Sequence, residues 1–141
     1  MFDADCIFCK IIQGIIPCQA VLRTDSVLAF LDLNPVHPGH TLVVPTAHHV
    51  TLMDLPQAMG GDLLDALSRV ARGVMAATGA QGINLMQNNH PAAGQVVMHA
   101  HFHLIPRFDH DGLTLWPQRP YDSPDAMAAM AARIHAAIAA A

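Results

Sequence analysis

The chain contains no glutamate and a single lysine, Lys10, among its 141 residues. Its 11 acidic side chains are all aspartates and the formal net charge is -4. That balance leaves no basic face for binding duplex nucleic acid through its phosphates. Only three cysteines are present, an odd number that leaves one over in any disulfide framework. No apolar run approaches the roughly 18 residues of a membrane-spanning helix. The opening MFDADCIFCK is acidic and short of apolar length, unlike a secretory signal, so a cytoplasmic setting is expected. In a reducing compartment a Cys-x-x-Cys pair more often serves metal or redox chemistry than a disulfide. What remains is 52% hydrophobic and 13% charged, as expected of one compact domain.

The apolar pattern gives an element order. Cys6 to Gln13 reads as one or two helical turns, ended by Gly14 and Pro17. AVLRTD, SVLAFLDL and HTLVVP read as three strands, cut by Asp25-Ser26, Asn34-Pro35 and Pro45. Pro56 to Ala77 carries apolar residues at helical spacing, with Pro56 near its start and Gly79 just past its end. GINLMQNN is a fourth strand, HPAAG a loop, and QVVMHAHFHLIPRF a long fifth strand. An irregular stretch leads to an alanine-rich helix from Ser123 to Ala140, with Ser123 as cap and Pro124 in the first position. Hairpin-length joins and strands interrupted by helices predict an antiparallel sheet with helices packed on it, an α+β fold. One domain spans residues 1–141, with its core at about 6–108 and a tail and helix at 109–141.

Three histidines alternate within GQVVMHAHFHLIPRF: His99, His101 and His103. On a strand, residues two apart share a face, so the three are expected as a column, with Ala100, Phe102 and Leu104 facing the core. Imidazoles among apolar neighbours need partners. The readings are a solvated strand face, a metal site built on His-x-His, or phosphoryl chemistry in which a neutral imidazole attacks phosphorus. Cys6 and Cys9 have ligand spacing. A thioredoxin-like redox pair expects a preceding strand and a βαβ context, and only five residues precede Cys6. An unused thiol pair in the core is the other alternative. Cys18 reads as a small apolar filler.

The run HAHFHLI has the form His-x-His-x-His followed by two apolar residues. CIFCKIIQGIIP, LAFLDLNPVHPGHTLVVP and NNHPAAGQ stand before it in order. Together these motifs, covering about Cys6 to Phe108, resemble the histidine triad (HIT) family, in particular its bacterial zinc-containing nucleotide-binding branch. HLIPR is also similar to the fragile histidine triad branch. The resemblance implies a HIT-like fold: a five-stranded antiparallel sheet, a long central helix and a C-terminal helix. It implies a nucleotide hydrolase or transferase acting at the α-phosphate, with purine nucleoside phosphoramidates as the preferred class. The middle histidine, His101, would be the nucleophile, and His103 would contact the α-phosphate and the leaving-group bridge. His40 would lie behind them in support; without the resemblance it reads as a hydrogen-bonded residue at a strand end. The rivals are hydrolysis of dinucleoside polyphosphates and a non-catalytic zinc- and nucleotide-binding interaction module.

By the same resemblance a structural zinc is held by Cys6, Cys9, His48 and His99, with His48 favoured over its neighbour His49 by the P-x-x-H spacing. The purine slot is expected from Ile7, Phe8, Ile11, Ile16, Phe30, Leu31 and Leu33. Asp32 would accept the ribose hydroxyls; on its own it reads as a turn-capping aspartate before Asn34-Pro35. Asn88 and Gln95 would bind the phosphates, with Gly94 letting backbone amides approach an anion. Relatives carry Ser or Thr where this chain has Val96, which leaves the Val96 amide but removes a hydroxyl from the leaving-group side. Scarce lysines favour a single phosphate at the reacting centre over a long polyphosphate. A homodimer is implied as well. Trp116 matches a residue near the partner's active site in relatives, or else caps the core.

Overall fold

The computed structural model describes residues 2–140. The chain divides between Asp111 and Gly112 into two compact units. The first holds α1 (Ile7–Ile12), β1 (Ala20–Arg23), β2 (Val27–Leu31), β3 (Thr41–Pro45), α2 (Gly60–Thr78), β4 (Gly82–Gln87) and β5 (Phe102–Arg107). Its five strands form one sheet in the order β1-β2-β3-β5-β4, with every neighbouring pair antiparallel. The expected α+β architecture is present. Among the described residues, no helix is long and apolar enough to cross a membrane.

The central strands β2 and β3 are apolar apart from the buried Thr41 because helices cover both their faces. Val27, Ala29, Val43, Phe102 and Leu104 pack against Leu63, Leu67, Val70 and Val74 of α2. Leu28, Phe30, Leu42 and Val44 pack on the other face against Phe8, Cys9 and Ile11 of α1. The period of two thus sorts each strand between two cores. The long helix begins later than its sequence pattern suggests. Pro56 caps a short turn of 3-10 helix at Gln57–Met59, and α2 starts at Gly60. Gly79 ends it at φ 70°, a left-handed conformation that glycine adopts without a Cβ penalty.

The fifth strand is shorter than expected. A strand over Gln95–Phe108 was predicted, whereas β5 begins at Phe102. Its neighbours run out there: the β4 ladder ends at Gln87↔Phe102 and the β3 ladder at Val43↔Phe102. Upstream, the Ala100 amide donates to the His49 carbonyl (2.6 Å) and the His99 amide to the Val97 carbonyl (2.9 Å). Of the three histidines only His103 lies in β5, so the expected column is not a strand face. The inward side behaves as expected: Ala100, Phe102 and Leu104 are buried.

The second unit carries α3 (Pro124–Ala139). Ser123 Oγ accepts the Ala126 amide at 3.1 Å, and Pro124 occupies the first helical position, where its missing N–H is not needed.

Candidate active site and metal centre

Two groups of side chains grow from the α1 side of the sheet. The first is Cys6, Cys9, His48 and His99, whose ligand atoms all lie within 4.8 Å of one another. Cys6 caps α1 and Cys9 sits one turn later, so the C-x-x-C spacing turns both sulfurs the same way. His99 Nδ1 lies 3.5 Å from Cys6 Sγ and 3.7 Å from Cys9 Sγ, and His48 Nδ1 lies 3.4 Å from Cys9 Sγ. Tetrahedral zinc with bonds of about 2.3 Å to sulfur and 2.0–2.1 Å to nitrogen places ligand pairs about 3.5 Å apart, so the donor set fits such an ion. His99 Nε2 donates to the Pro45 carbonyl at 2.9 Å, which leaves Nδ1 bare toward the thiols. Burial, with the neighbouring histidines adding to it, pushes His99 down to about 4, so its ring is neutral as a metal ligand must be. Burial also pushes the Cys6 thiol up; a thiolate there calls for a cation. Asp3 lies 3.7 Å from His48 Nε2 and orients that ring from outside. His49 stands apart and contributes its carbonyl to the Ala100 amide.

The second group is His101, His103, His40 and Asp32. His101 Nδ1 donates to the His99 carbonyl at 2.6 Å, leaving Nε2 with a free lone pair. Phe8 packs edge-on against this ring at 5.2 Å between centroids, and the His103 ring lies 5.0 Å from it. The tautomer of His103 is set by a chain of bonds. The Val36 amide donates to His40 Nδ1 at 3.2 Å, so His40 carries its proton on Nε2 and donates it to His103 Nδ1 at 2.9 Å. His103 is left with an N–H at Nε2. Burial first, then the nearby His101 and His40, push His103 down to about 4. Burial likewise lowers His40 against the opposing pull of Asp32. Asp32, His40 and His103 also have metal-ligand atoms within 4.8 Å of one another. Both ring nitrogens of His40 are engaged, however, one accepting and one donating, so this group is a hydrogen-bond relay.

The structure places the remaining expected site residues unevenly. Phe8, Ile11 and Phe30 are buried on the α1 face, while Ile7 and Leu33 are exposed. Leu31 faces the other way. Alternation along β2 turns Phe30 toward α1 and Leu31 toward α2, where it lines a separate cavity with Val70 and Val74. Asp32 caps the turn as its sequence context suggests, with Oδ1 accepting the Asn34 amide at 2.9 Å, and its Oδ2 lies 3.7 Å from His40 Nδ1. Gly94 has φ 89°, and a Cβ there would stand 3.6 Å from Asn88 Nδ2. Gln95 is 3% exposed. Its Oε1 accepts the His90 amide (2.7 Å), and its Nε2 donates to the carbonyls of Val50 (2.6 Å) and Val97 (3.1 Å). Its side chain therefore braces the loop from within, and Val96 beside it is exposed. Trp116 belongs to the second unit and is exposed.

Three participants had no mark in the sequence. The Pro45 carbonyl and the Val36 amide are backbone groups that any residue type, for the carbonyl, or any except proline, for the amide, would supply. Asp3 stands among scattered aspartates of the N-terminus, with no spacing that ties it to His48.

A His-x-His-x-His run whose rings are each held by a fixed hydrogen bond, beside a Cys-Cys-His-His cluster on an antiparallel sheet, defines a histidine triad architecture. A family model described as the HIT domain matches residues 13–110. The chain is 38% identical over 135 residues to the adenosine 5'-monophosphoramidase hnt1 of Schizosaccharomyces pombe, covering 94% of this chain and 98% of that protein. It is 40% identical over 109 residues to the adenylylsulfatase HINT3 of Arabidopsis thaliana, covering 77% of this chain and 55% of that protein. The crystal structure of SMU.412c from Streptococcus mutans superposes with a TM-score of 0.90 at 37% identity, covering 96% of this chain and 87% of that one. This chain belongs to the HIT family.

Proposed function

We propose that this protein is a hydrolase that cleaves purine nucleoside phosphoramidates at the α-phosphate through a nucleotidyl group carried on His101. The observation that carries the reading is the 2.6 Å bond from His101 Nδ1 to the His99 carbonyl. It leaves the Nε2 lone pair free to attack, and the carbonyl dipole stabilises the positive charge that grows on the ring as the new bond forms. Nε2 bonds to phosphorus while the bond from phosphorus to the amine nitrogen breaks. The amine departs with a proton from solvent. Water then splits the P–N bond, releasing the nucleoside monophosphate and restoring neutral His101. His103, held as an Nε2–H tautomer by His40, donates a hydrogen bond to the phosphate or the departing nitrogen. Asp32 accepts the ribose hydroxyls, Phe8, Ile11 and Phe30 back the base, and the loop with Asn88, Gly94 and the Val96 amide receives the phosphate.

A zinc ion on Cys6, Cys9, His48 and His99 would neutralise the thiolates and tie α1 to the ends of two other segments. The relatives described as a monophosphoramidase and an adenylylsulfatase support the substrate class, and a chain with one lysine is ill suited to a long polyphosphate. A cytoplasmic homodimer is part of the same proposal, and sedimentation of the purified protein tests the dimer. The chemistry is tested with adenosine phosphoramidate radiolabelled at phosphorus, quenched rapidly in base, where a phosphohistidine bond survives. Label is expected on the peptide containing His101. Label on another residue, or release of product with no labelled peptide at any time point, overturns the covalent route.

A further inference from the structure

The face of the sheet opposite the histidines carries a cavity of about 410 Å3, within the roughly 300–1,000 Å3 of small-molecule pockets. Its floor is Val21, Leu22 and Leu31 from β1 and β2, and its far wall is Val70 and Val74 of α2. These strands have a helix on this side, yet Val21 and Leu31 are 51% and 38% exposed. Apolar surface is thus left open at the edge of the core.

Two glycines make the space. Gly39 has φ 97°, and a Cβ there would stand 2.6 Å from the Thr78 methyl, so only glycine lets the loop before β3 close the end of the cavity against α2. Gly73 stands in the interior of the 19-residue helix α2, where glycine is unfavourable relative to alanine. No packing requires it: a Cβ at Gly73 meets no heavy atom within 4 Å. Its missing side chain leaves the wall open. Arg69, one helical turn earlier on the same face, is the only charged residue of the lining. Its pairing with Asp65 is long (3.3 Å), half-exposed and of the i,i+4 kind, which is worth little. The positive charge is therefore available to a ligand at the rim.

We infer that this cavity, bounded by Gly39, Arg69 and Gly73, binds a small amphipathic anion: an apolar body between the sheet and α2, with one anionic group at Arg69. The floor of the site and the catalytic residues are carried by the same strands and their flanks, Leu31 beside Asp32 and Thr41 beside His40. The two sites occupy opposite faces, and this inference does not depend on the hydrolase reading.

A matched pair of fluorescent probes tests it on the full chain: anilinonaphthalene sulfonate, which has the anionic group, and phenylnaphthylamine, which lacks it. Both should bind saturably at a single site. Gly73→Leu should abolish both by filling the cavity, whereas Gly73→Ala, whose methyl reaches nothing, should retain both. Arg69→Gln should weaken the sulfonate about ten-fold or more and leave the neutral probe unchanged. Melting curves of each variant report folding independently. Absence of saturable binding, or binding that survives Gly73→Leu in a folded protein, overturns the site. Equal weakening of both probes by Arg69→Gln overturns the anionic half of the inference.

Discussion

His99 and His101 are two residues apart and are both buried imidazoles, yet the backbone leaves opposite nitrogens open. His99 gives its Nε2 proton to the Pro45 carbonyl and turns Nδ1 to two thiols; His101 gives its Nδ1 proton to the carbonyl of His99 and keeps Nε2 bare. The first arrangement suits a closed metal centre with sulfur on the other side. The second suits a nucleophile, because its free nitrogen faces no protein donor among the described residues. Histidine spacing alone does not divide the roles. The division follows from which peptide carbonyl each ring meets, and the break in the strand at Phe102 sets those meetings.

The comparison breaks most sharply at His101. His101→Gly should lower turnover on the order of a thousand-fold or more, because deleting a nucleophile removes the pathway and leaves only binding and electrostatic assistance. Nucleotide affinity and metal content should be retained. Steady-state kinetics per folded molecule and metal analysis read the two halves separately. Near-normal turnover would remove His101 from the chemistry. Its counterpart is Cys6→Ser, which should reduce bound zinc from about one per chain and lower the melting temperature by roughly ten degrees, since a structural metal contributes directly to folding. Turnover of the molecules that remain folded should fall far less than in the His101 variant. If metal-stripped protein melts unchanged while activity follows the metal, the two groups do not divide as described.

A smaller effect sharpens the role of Asp32, which belongs to the relay by position and to the ribose by proposal. Asp32→Ala should weaken nucleotide binding by roughly 1.5–3 kcal/mol, the range for hydrogen bonds to a charged group. Calorimetry with ribose and 2'-deoxyribose nucleotides makes the assignment specific. The native protein should discriminate between the two sugars and the variant should not. Equal discrimination by both would confine Asp32 to capping Asn34 and flanking His40.

The sequence made the element order and the chemistry-bearing side chains legible. Apolar periodicity marked β2, β3 and α2 because each has a face, or two, against a core. Cys6, Cys9, His48 and His99 do come together, and so do His40, His101 and His103. Periodicity failed where the partner and not the strand itself decides. Gln95–His101 has the apolar run and the alternating histidines of a strand, but no neighbouring ladder extends that far. Leu31 read as part of an apolar slot with its neighbour Phe30, but alternation puts adjacent strand residues on opposite faces, Phe30 toward α1 and Leu31 toward α2. Gln95 read as a phosphate ligand, and its amide is turned inward to brace the loop because buried carbonyls of Val50 and Val97 need donors. The backbone groups that fix the tautomers leave no trace in residue identity at all.

The smallest expected effect concerns acid stability. Burial, with His101 and His40 adding to it, pushes His103 from the ordinary histidine value of 6.5 down to about 4. Above pH 6.5 neither the folded nor the unfolded chain binds a proton at this residue. Between 6.5 and 4 the unfolded chain takes a proton that the folded chain refuses, so stability is fully present above the upper value and is lost as pH falls toward the lower one. His99 has the same sign but is entangled with metal binding. His103→Asn isolates the effect, since its side-chain oxygen can still accept the His40 Nε2 proton. The native protein should lose more stability than this variant between about pH 7 and pH 4.5. A pKa unit is worth roughly 1.4 kcal/mol before screening reduces it, so the expected difference is about 1–2 kcal/mol. Urea unfolding midpoints at the two pH values measure it, with aspartate titration common to both proteins. Identical losses would mean that the His103 ring accepts its proton without cost, and the neutral Nε2–H tautomer would then not be the form that faces substrate.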